Sequence, residues 1–274
     1  MIGTLFAQEF RTAKRTLLPA VGIMLLVILT CFAIAALRVP FVGGLAFGLG
    51  VGVTIVFAPV VLAILAANYW RTMYGAEGYF TMTIPARGRT IYAVKLLFGL
   101  VATYVTLALT LASLALGAIV FALLKGQSAL SFLVEGLETL DPRIGWFVVF
   151  AVVLQLTFTV IAGATVMSVG AEGRFNHLGF GAPVIGSVIL YFVMQIINFV
   201  ALLFLPLGIR LTGPDVGSFV AEGMFSDFMR ALGTPNDSTP PGVLGLGVVI
   251  VPALVAVLLA WWGARSVDRR TSLR

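Results

Sequence analysis

Hydrophobic positions along this chain gather into long unbroken runs, and polar positions collect in the stretches between them. Six runs stand out, at Leu17–Leu37, Leu45–Ala67, Leu96–Leu124, Gly145–Val169, Leu178–Gly208 and Val243–Trp262. Each is about as long as the roughly 20 residues a helix needs to cross a bilayer. Backbone amides in lipid must bond within their own segment, which leaves helices or closed barrels. Barrel strands alternate apolar and polar side chains over about ten positions. These runs do not alternate, so the pattern predicts an all-α polytopic membrane protein with six transmembrane helices in a single domain over 1–274. The first run is too long for the apolar region of a cleavable signal, so none is expected.

The N-terminal stretch has a different period. Ile2, Phe6, Phe10, Ala13 and Leu17 recur every three or four residues, with Gln8, Arg11, Thr12 and Arg15 largely on other faces. This predicts an amphipathic helix over 1–16 lying in the membrane interface; a plain continuation of the first span is the alternative.

Composition agrees with the pattern. Of 274 residues, 60% are hydrophobic and 10% charged, against about 45–50% and about 25% in soluble domains. Charge also carries direction. With the N-terminus inside, Arg11, Lys14, Arg15, Arg71, Arg87, Arg89, Lys95, Arg174, Arg265, Arg269, Arg270 and Arg274 are cytoplasmic, and Arg38, Lys125, Arg143, Arg210 and Arg230 are outside. That excess of inside cations predicts cytoplasmic termini. Most acids fall outside: Glu135, Glu138, Asp141, Asp215, Glu222, Asp227 and Asp237. The net charge of +6 is explained by anchoring beside anionic membrane lipids and calls for no nucleic acid.

Several chemistries lack their residues. The spans hold almost no ionisable side chains, which disfavours ion-coupled carriers. His177 is the only histidine, so a His-based zinc site is not expected. No G-x-x-x-x-G-K-[ST] loop occurs, so the chain is not expected to hydrolyse ATP itself. Cys31 is the single cysteine and can form no intrachain disulfide. No catalytic, metal or cofactor residue is expected.

Neutral polar groups inside the spans are few. Gln195 and Asn198, three apart on one helical face, read either as glue between helices or as part of a translocation seam. Gly44, Gly48 and Gly52 step by four and form a smooth face for close helix packing. Pro59, Pro183 and Pro252 are candidate kinks. Two outside loops are long, Gly126–Ile144 and 210–242. In the second, Val216–Leu232 reads as a short helix presenting Phe219, Met224, Phe225 and Phe228, re-entrant or interfacial, or else as a solvated loop.

The most informative stretch joins the second and third spans, NYWRTMYGAEGYFTMTIPARGRTIYAVK from Asn68 to Lys95. A bare turn does not need that length. Aromatic residues with arginine on a cytoplasmic connector suggest a protein contact. Gly75 and Gly78 bracket Glu77, Glu77–Thr83 can make about two helical turns, and Pro85 ends that element and suits the first turn of the next helix. Arg87, Arg89 and Lys95 flank the start of the third span. An amphipathic surface loop without a partner is the alternative.

Here the sequence resembles a known family. Tyr74-Gly75-Ala76-Glu77-Gly78-Tyr79-Phe80, followed by Thr83-Ile84-Pro85 and Lys95, is similar to the signature of type-2 ATP-binding-cassette exporter permeases. The family pattern has an acid at Ala76 and leucine at Phe80 and Ile84. The resemblance implies a permease subunit of a bacterial plasma-membrane exporter, paired with a second permease copy or homologue. It implies a separate ATPase subunit, holding ATP and Mg, docked on the coupling residues Tyr74, Glu77, Gly78, Tyr79, Phe80, Pro85, Arg87 and Arg89. The N-terminal helix and the Glu172–His177 turn would assist. It also implies a central seam lined by the first, second and fifth helices. Lack of fixed charge there leans toward an amphipathic or hydrophobic cargo such as a peptide, lipid or drug. A membrane-embedded enzyme and an ATP-independent secondary transporter are the competing readings.

Overall fold

The computed structural model describes residues 2–75, 77–83, 85–138, 141–212, 215–233 and 241–269. Ala76 and Ile84 of the connector, Pro214, Pro235, Asp237 and Pro240 of the last outside loop, and Arg270 and Arg274 lie outside them. The chain divides into two compact units, 1–139 with 273–274, and 140–272.

Three long helices build the first unit: α1 (Ile2–Ala36), α2 (Val42–Met73) and α4 (Gly88–Leu124), with the short α3 (Gly78–Met82) between α2 and α4 and α5 (Ala129–Glu138) after them. The long three pack on one another. One end of the core is Ala13, Leu17, Phe57, Val61 and Phe98, and the other is Ile28, Phe32, Ala35, Ala46 and Val120. At 35, 32 and 37 residues, each reaches about 50 Å at about 1.5 Å per residue, well beyond a hydrocarbon layer of about 30 Å. The tight turn between α1 and α2 carries positive φ at Arg38 and Phe41. The Arg38 guanidinium donates to the Leu123 carbonyl, in the last turn of α4, where a cation is favoured; the same carbonyl also accepts from the Gly126 amide at 3.1 Å.

No break separates the N-terminal stretch from the first span: α1 is one continuous helix with Pro19 inside it. The expected outside loop after Leu124 contains α5. Ser128 starts that helix by accepting from the Ser131 amide at 3.2 Å, an N-cap bond, and Phe132 rests on Phe121 with centroids 5.9 Å apart.

The second unit holds α6 (Pro142–Gly170), a 3-10 turn at Gly173–Leu178, α7 (Gly181–Phe204), α8 (Phe225–Gly233) and α9 (Gly247–Arg269). Asp141 caps α6 through the Arg143 amide at 2.8 Å, with Pro142 in the first turn where no amide bond is lost. Pro183 likewise falls in the first turn of α7, so it kinks nothing. It packs where α6 ends: a Cβ on Gly170 would lie 2.7 Å from its Cδ.

Between α7 and α9 the structure departs from the hydropathy reading. Gly208–Arg210 (β1) pairs antiparallel with Phe219–Val220 (β2) and with Val243–Gly245 (β3). The fifth span therefore stops at Phe204 and the sixth starts at Gly247. An apolar run of four residues cannot separate strand from helix by pattern alone. The predicted helix over Val216–Leu232 is corrected to α8, Phe225–Gly233, with Phe219 on a strand. Phe204 stacks on Phe225 at 5.1 Å and Phe199 meets Phe228 edge-on at 5.7 Å, which holds α8 against α7. Gly247 is required where α9 begins, because a Cβ there would stand 2.2 Å from the Ala201 carbonyl oxygen.

Among the described residues, six helices are long and apolar enough to cross a membrane. This is a mostly helical, multi-pass membrane protein with a small three-stranded sheet in one connection.

Candidate functional site

The connector between α2 and α4 is built from its glycines outward. The last turn of α2 closes with Tyr74 and Gly75 both donating to the Trp70 carbonyl, each at 2.9 Å. Gly75 passes so close to that turn that a Cβ would sit 3.0 Å from Arg71 Cα. Gly78 then donates to the Gly75 carbonyl at 2.9 Å, and α3 follows for five residues. It is shorter than the two turns expected over Glu77–Thr83, which flank it as caps.

Thr81 pins α3 to α2: its hydroxyl donates to the Thr72 carbonyl at 2.6 Å. Phe80 is 78% exposed and Tyr79 52%, so α3 turns two rings outward. Glu77 reaches back to Arg71, Oε1 to Nε 3.4 Å, with both side chains near half exposure. A pair that exposed adds little stability. Pro85 lies in the bend before α4, not in its first turn, and Arg87 is the extended N-cap residue. Arg87 and Arg89 are exposed. Tyr74 packs on Trp70, with centroids 5.5 Å apart.

Beneath α3 lies a buried polar cluster that the sequence reading missed. Lys95 is not a flanking cation: its side chain is 4% exposed and its Nζ lies 2.6 Å from Glu9 Oε2. It also donates to the Thr72 hydroxyl at 2.7 Å. Asn68 Nδ2 donates to Glu9 Oε1 at 3.3 Å, and Asn68 Oδ1 accepts from the Arg71 guanidinium at 3.3 Å. Residues of α1, α2 and α4 thus meet on one carboxylate, and Thr72 links that cluster to α3. A cavity of about 290 Å³ adjoins it, lined by Gln8, Glu9, Glu77, Phe80, Thr81 and Lys95 among others. One signal was available: Glu9 is the only acid before Glu77.

The cluster also resets the N-terminal face. Phe6, Glu9, Ala13 and Leu17 turn inward, while Ile2 and Phe10 are exposed. Phe6 meets Phe98 edge-on at 5.7 Å.

Other predicted positions are placed differently. A Cβ on Gly44, Gly48 or Gly52 would meet nothing within 4 Å, so among the described residues of the first unit no helix packs closely on them. The close approach on α2 is at Gly50, where a Cβ would lie 2.8 Å from the Phe32 ring. Gln195 is exposed and donates to the Tyr191 hydroxyl of its own helix at 3.0 Å. Asn198 Oδ1 is buried with no partner among the described residues. In the second unit, Glu172 is buried and held by Arg174 at 3.0 Å and by Ser266 Oγ at 2.9 Å. This ties the 3-10 turn to α9 and leaves His177 exposed.

No group of three or more potential metal ligands occurs among the described residues. No family model, curated protein or solved structure matches this chain. Fold and site therefore define a class by their own features: a multi-pass helical membrane protein with a short helix, bearing exposed rings, in the connection between two of three packed long helices.

Proposed function

We propose that this chain is the transmembrane permease subunit of an ATP-binding-cassette transporter, and that it exports an amphipathic or hydrophobic substrate. ATP and Mg belong to a separate ATPase subunit. The observation that carries the reading is α3. Two exposed aromatic side chains and Glu77 stand on a short helix that is hydrogen-bonded to one long spanning helix and joined by the chain to the next. A partner that displaces α3 moves both helices. Exposed rings at a rigid site are what a protein interface uses as anchors.

In this reading α3 is the coupling helix, and the first turns of α1 and the Glu172–His177 turn each add a contact to the ATPase subunit. Both termini are cytoplasmic, in the plasma membrane of a bacterium. A second permease, identical or homologous, completes the pathway. The open glycine face of α2 and the exposed Gln195 on α7 are the surfaces it meets. Asn198, whose Oδ1 has no partner among the described residues, belongs to the same stretch of α7.

Copurification tests the proposal. An affinity-tagged chain from its native membrane brings down an ATPase subunit, and Glu77→Lys with Phe80→Asp reduces recovery at least tenfold while the permease still inserts. Unchanged recovery of that subunit, or full transport without one, overturns the reading.

A further inference from the structure

The second unit contains a cavity of about 320 Å³ between α6, α7 and α9. Val166, Val169, Ile185, Ile189 and Leu259 are among its walls. The wall hydroxyl, Thr165, is already bonded to the Leu259 carbonyl at 2.9 Å, so the hollow offers a guest no free hydroxyl. Along α7 its lining runs from Ala182 to Val193, about 16 Å at about 1.5 Å per residue. That equals one leaflet of a hydrocarbon layer about 30 Å thick.

The hollow is continued by a second one. Trp262 lines both the apolar cavity and a neighbouring cavity of about 290 Å³, whose other walls are Glu172, Trp261, Arg265 and Ser266. Two guanidinium groups stand at this end, each over an aromatic ring. Arg265 lies 5.5 Å above Trp261, and Arg174 lies 4.7 Å above Phe175, itself a wall of the apolar cavity. Glu172 is the carboxylate among the walls of this second cavity. Its side chain is 3% exposed, with Oε1 taken by Ser266 and Oε2 by Arg174. Arg174 is neutralised by Glu172, but Arg265 makes no ion pair among the described residues and stands in the mouth as a cation over Trp261. Trp261 and Trp262, both exposed, are the residue type that collects at membrane interfaces.

We propose that these two cavities form one binding site for an anionic phospholipid. An acyl chain fills the groove between α6, α7 and α9, and the phosphate rests between Arg265, Arg174 and the two tryptophans. An apolar slot one leaflet long in series with a cationic mouth matches that amphiphile in both length and charge; basic pockets between spanning helices recognise anionic headgroups in the same manner. The inference requires that the helices sit in a bilayer, and it does not depend on the transport reading.

The test uses the full chain in phosphatidylcholine nanodiscs doped with a photoreactive lipid carrying a mid-chain diazirine. Mass spectrometry then maps the labelled peptides. A phosphatidylglycerol probe labels residues of α6, α7 and α9 that line the groove, at least fivefold more than a phosphatidylcholine probe, and unlabelled phosphatidylglycerol competes it away. Arg265→Gln lowers that labelling about fivefold, in line with about 1 kcal/mol per surface cation. Ile189→Trp, at a position 58% exposed, fills the slot and lowers labelling by either probe. Equal labelling by the two headgroups, labelling that ignores both substitutions, or labelling confined to other helices overturns the proposal. The competition arm on the unmodified protein decides the matter even if a variant fails to insert.

Discussion

Glu9 shows how one residue can redirect a helix face. A stripe chosen for apolarity takes Phe10, but the folded chain turns Glu9 inward, its side chain 12% exposed, and exposes Phe10, because Lys95 and Asn68 wait on the neighbouring helices. Removing one partner strands the other. Lys95→Met leaves the Glu9 carboxylate buried without its cation, and breaking such a pair costs about 3–5 kcal/mol. Lys95→Met is therefore expected to lower the midpoint of thermal unfolding in detergent markedly. The double variant Glu9→Leu/Lys95→Met, which removes both charges, recovers most of that loss. A single variant as stable as the parent would show that the pair contributes nothing. Glycines make the same point. Gly50→Ala places a methyl 2.8 Å from the Phe32 ring and costs about 1–3 kcal/mol by overpacking, while Gly48→Ala meets open space and gains about 0.5–1 kcal/mol from helix propensity. If Gly48→Leu also leaves the molecule stable but shifts it from dimer to monomer by light scattering, the α2 glycine face is the surface between copies.

At the scale of elements, the long helices were readable and the short ones were not. Continuous apolar runs identified α6 closely and located α2 and α4, because each of their residues reports hydropathy by itself, but missed the polar turns by which α2 runs on to Met73 and α4 starts at Gly88. The strands at 208–245 were invisible, since a three-residue strand exists only through the partner it pairs with. α3 was partly legible from Gly75, Gly78 and Pro85, but its attachment through Thr81 to the Thr72 carbonyl was not. That hydrogen bond gives a test at this scale. Thr81→Val keeps the side-chain shape and removes the donor, so it loosens α3 by about 0.5–1.5 kcal/mol, the usual net worth of one such bond. Hydrogen exchange is expected to accelerate across Gly78–Met82 with little change in the middle of α2 or α4. Uniform acceleration across all three helices would instead mark a global loss of stability.

At the scale of the whole molecule, the proposed sidedness rests on the distribution of cations. Cys31 is the only cysteine, so Cys31→Ser provides a clean background for single-cysteine labelling in intact cells. Phe80→Cys is expected to resist a membrane-impermeant maleimide until the membrane is opened, and Phe219→Cys is expected to react from outside. Both side chains are 78% exposed, so a failure to label reports the membrane side and not burial. The reverse pattern would place α3 outside the cell and remove the basis for an ATPase partner. The same experiment orients the proposed lipid site, because Arg174 and Arg265 were assigned inside by the same count.

The sequence alone determined that this chain is mostly helical and that it carries six stretches long and apolar enough to cross a membrane. Those properties are sums over neighbours in the chain, and every residue contributes without reference to distant ones. Only the tertiary structure decided that Glu9 meets Lys95 across 86 positions, that Gly50 and not Gly48 is a point of close approach, and that residues after Phe204 form strands. Each of these depends on which surfaces meet in space, and a bond between two distant side chains leaves no periodic trace in either local pattern.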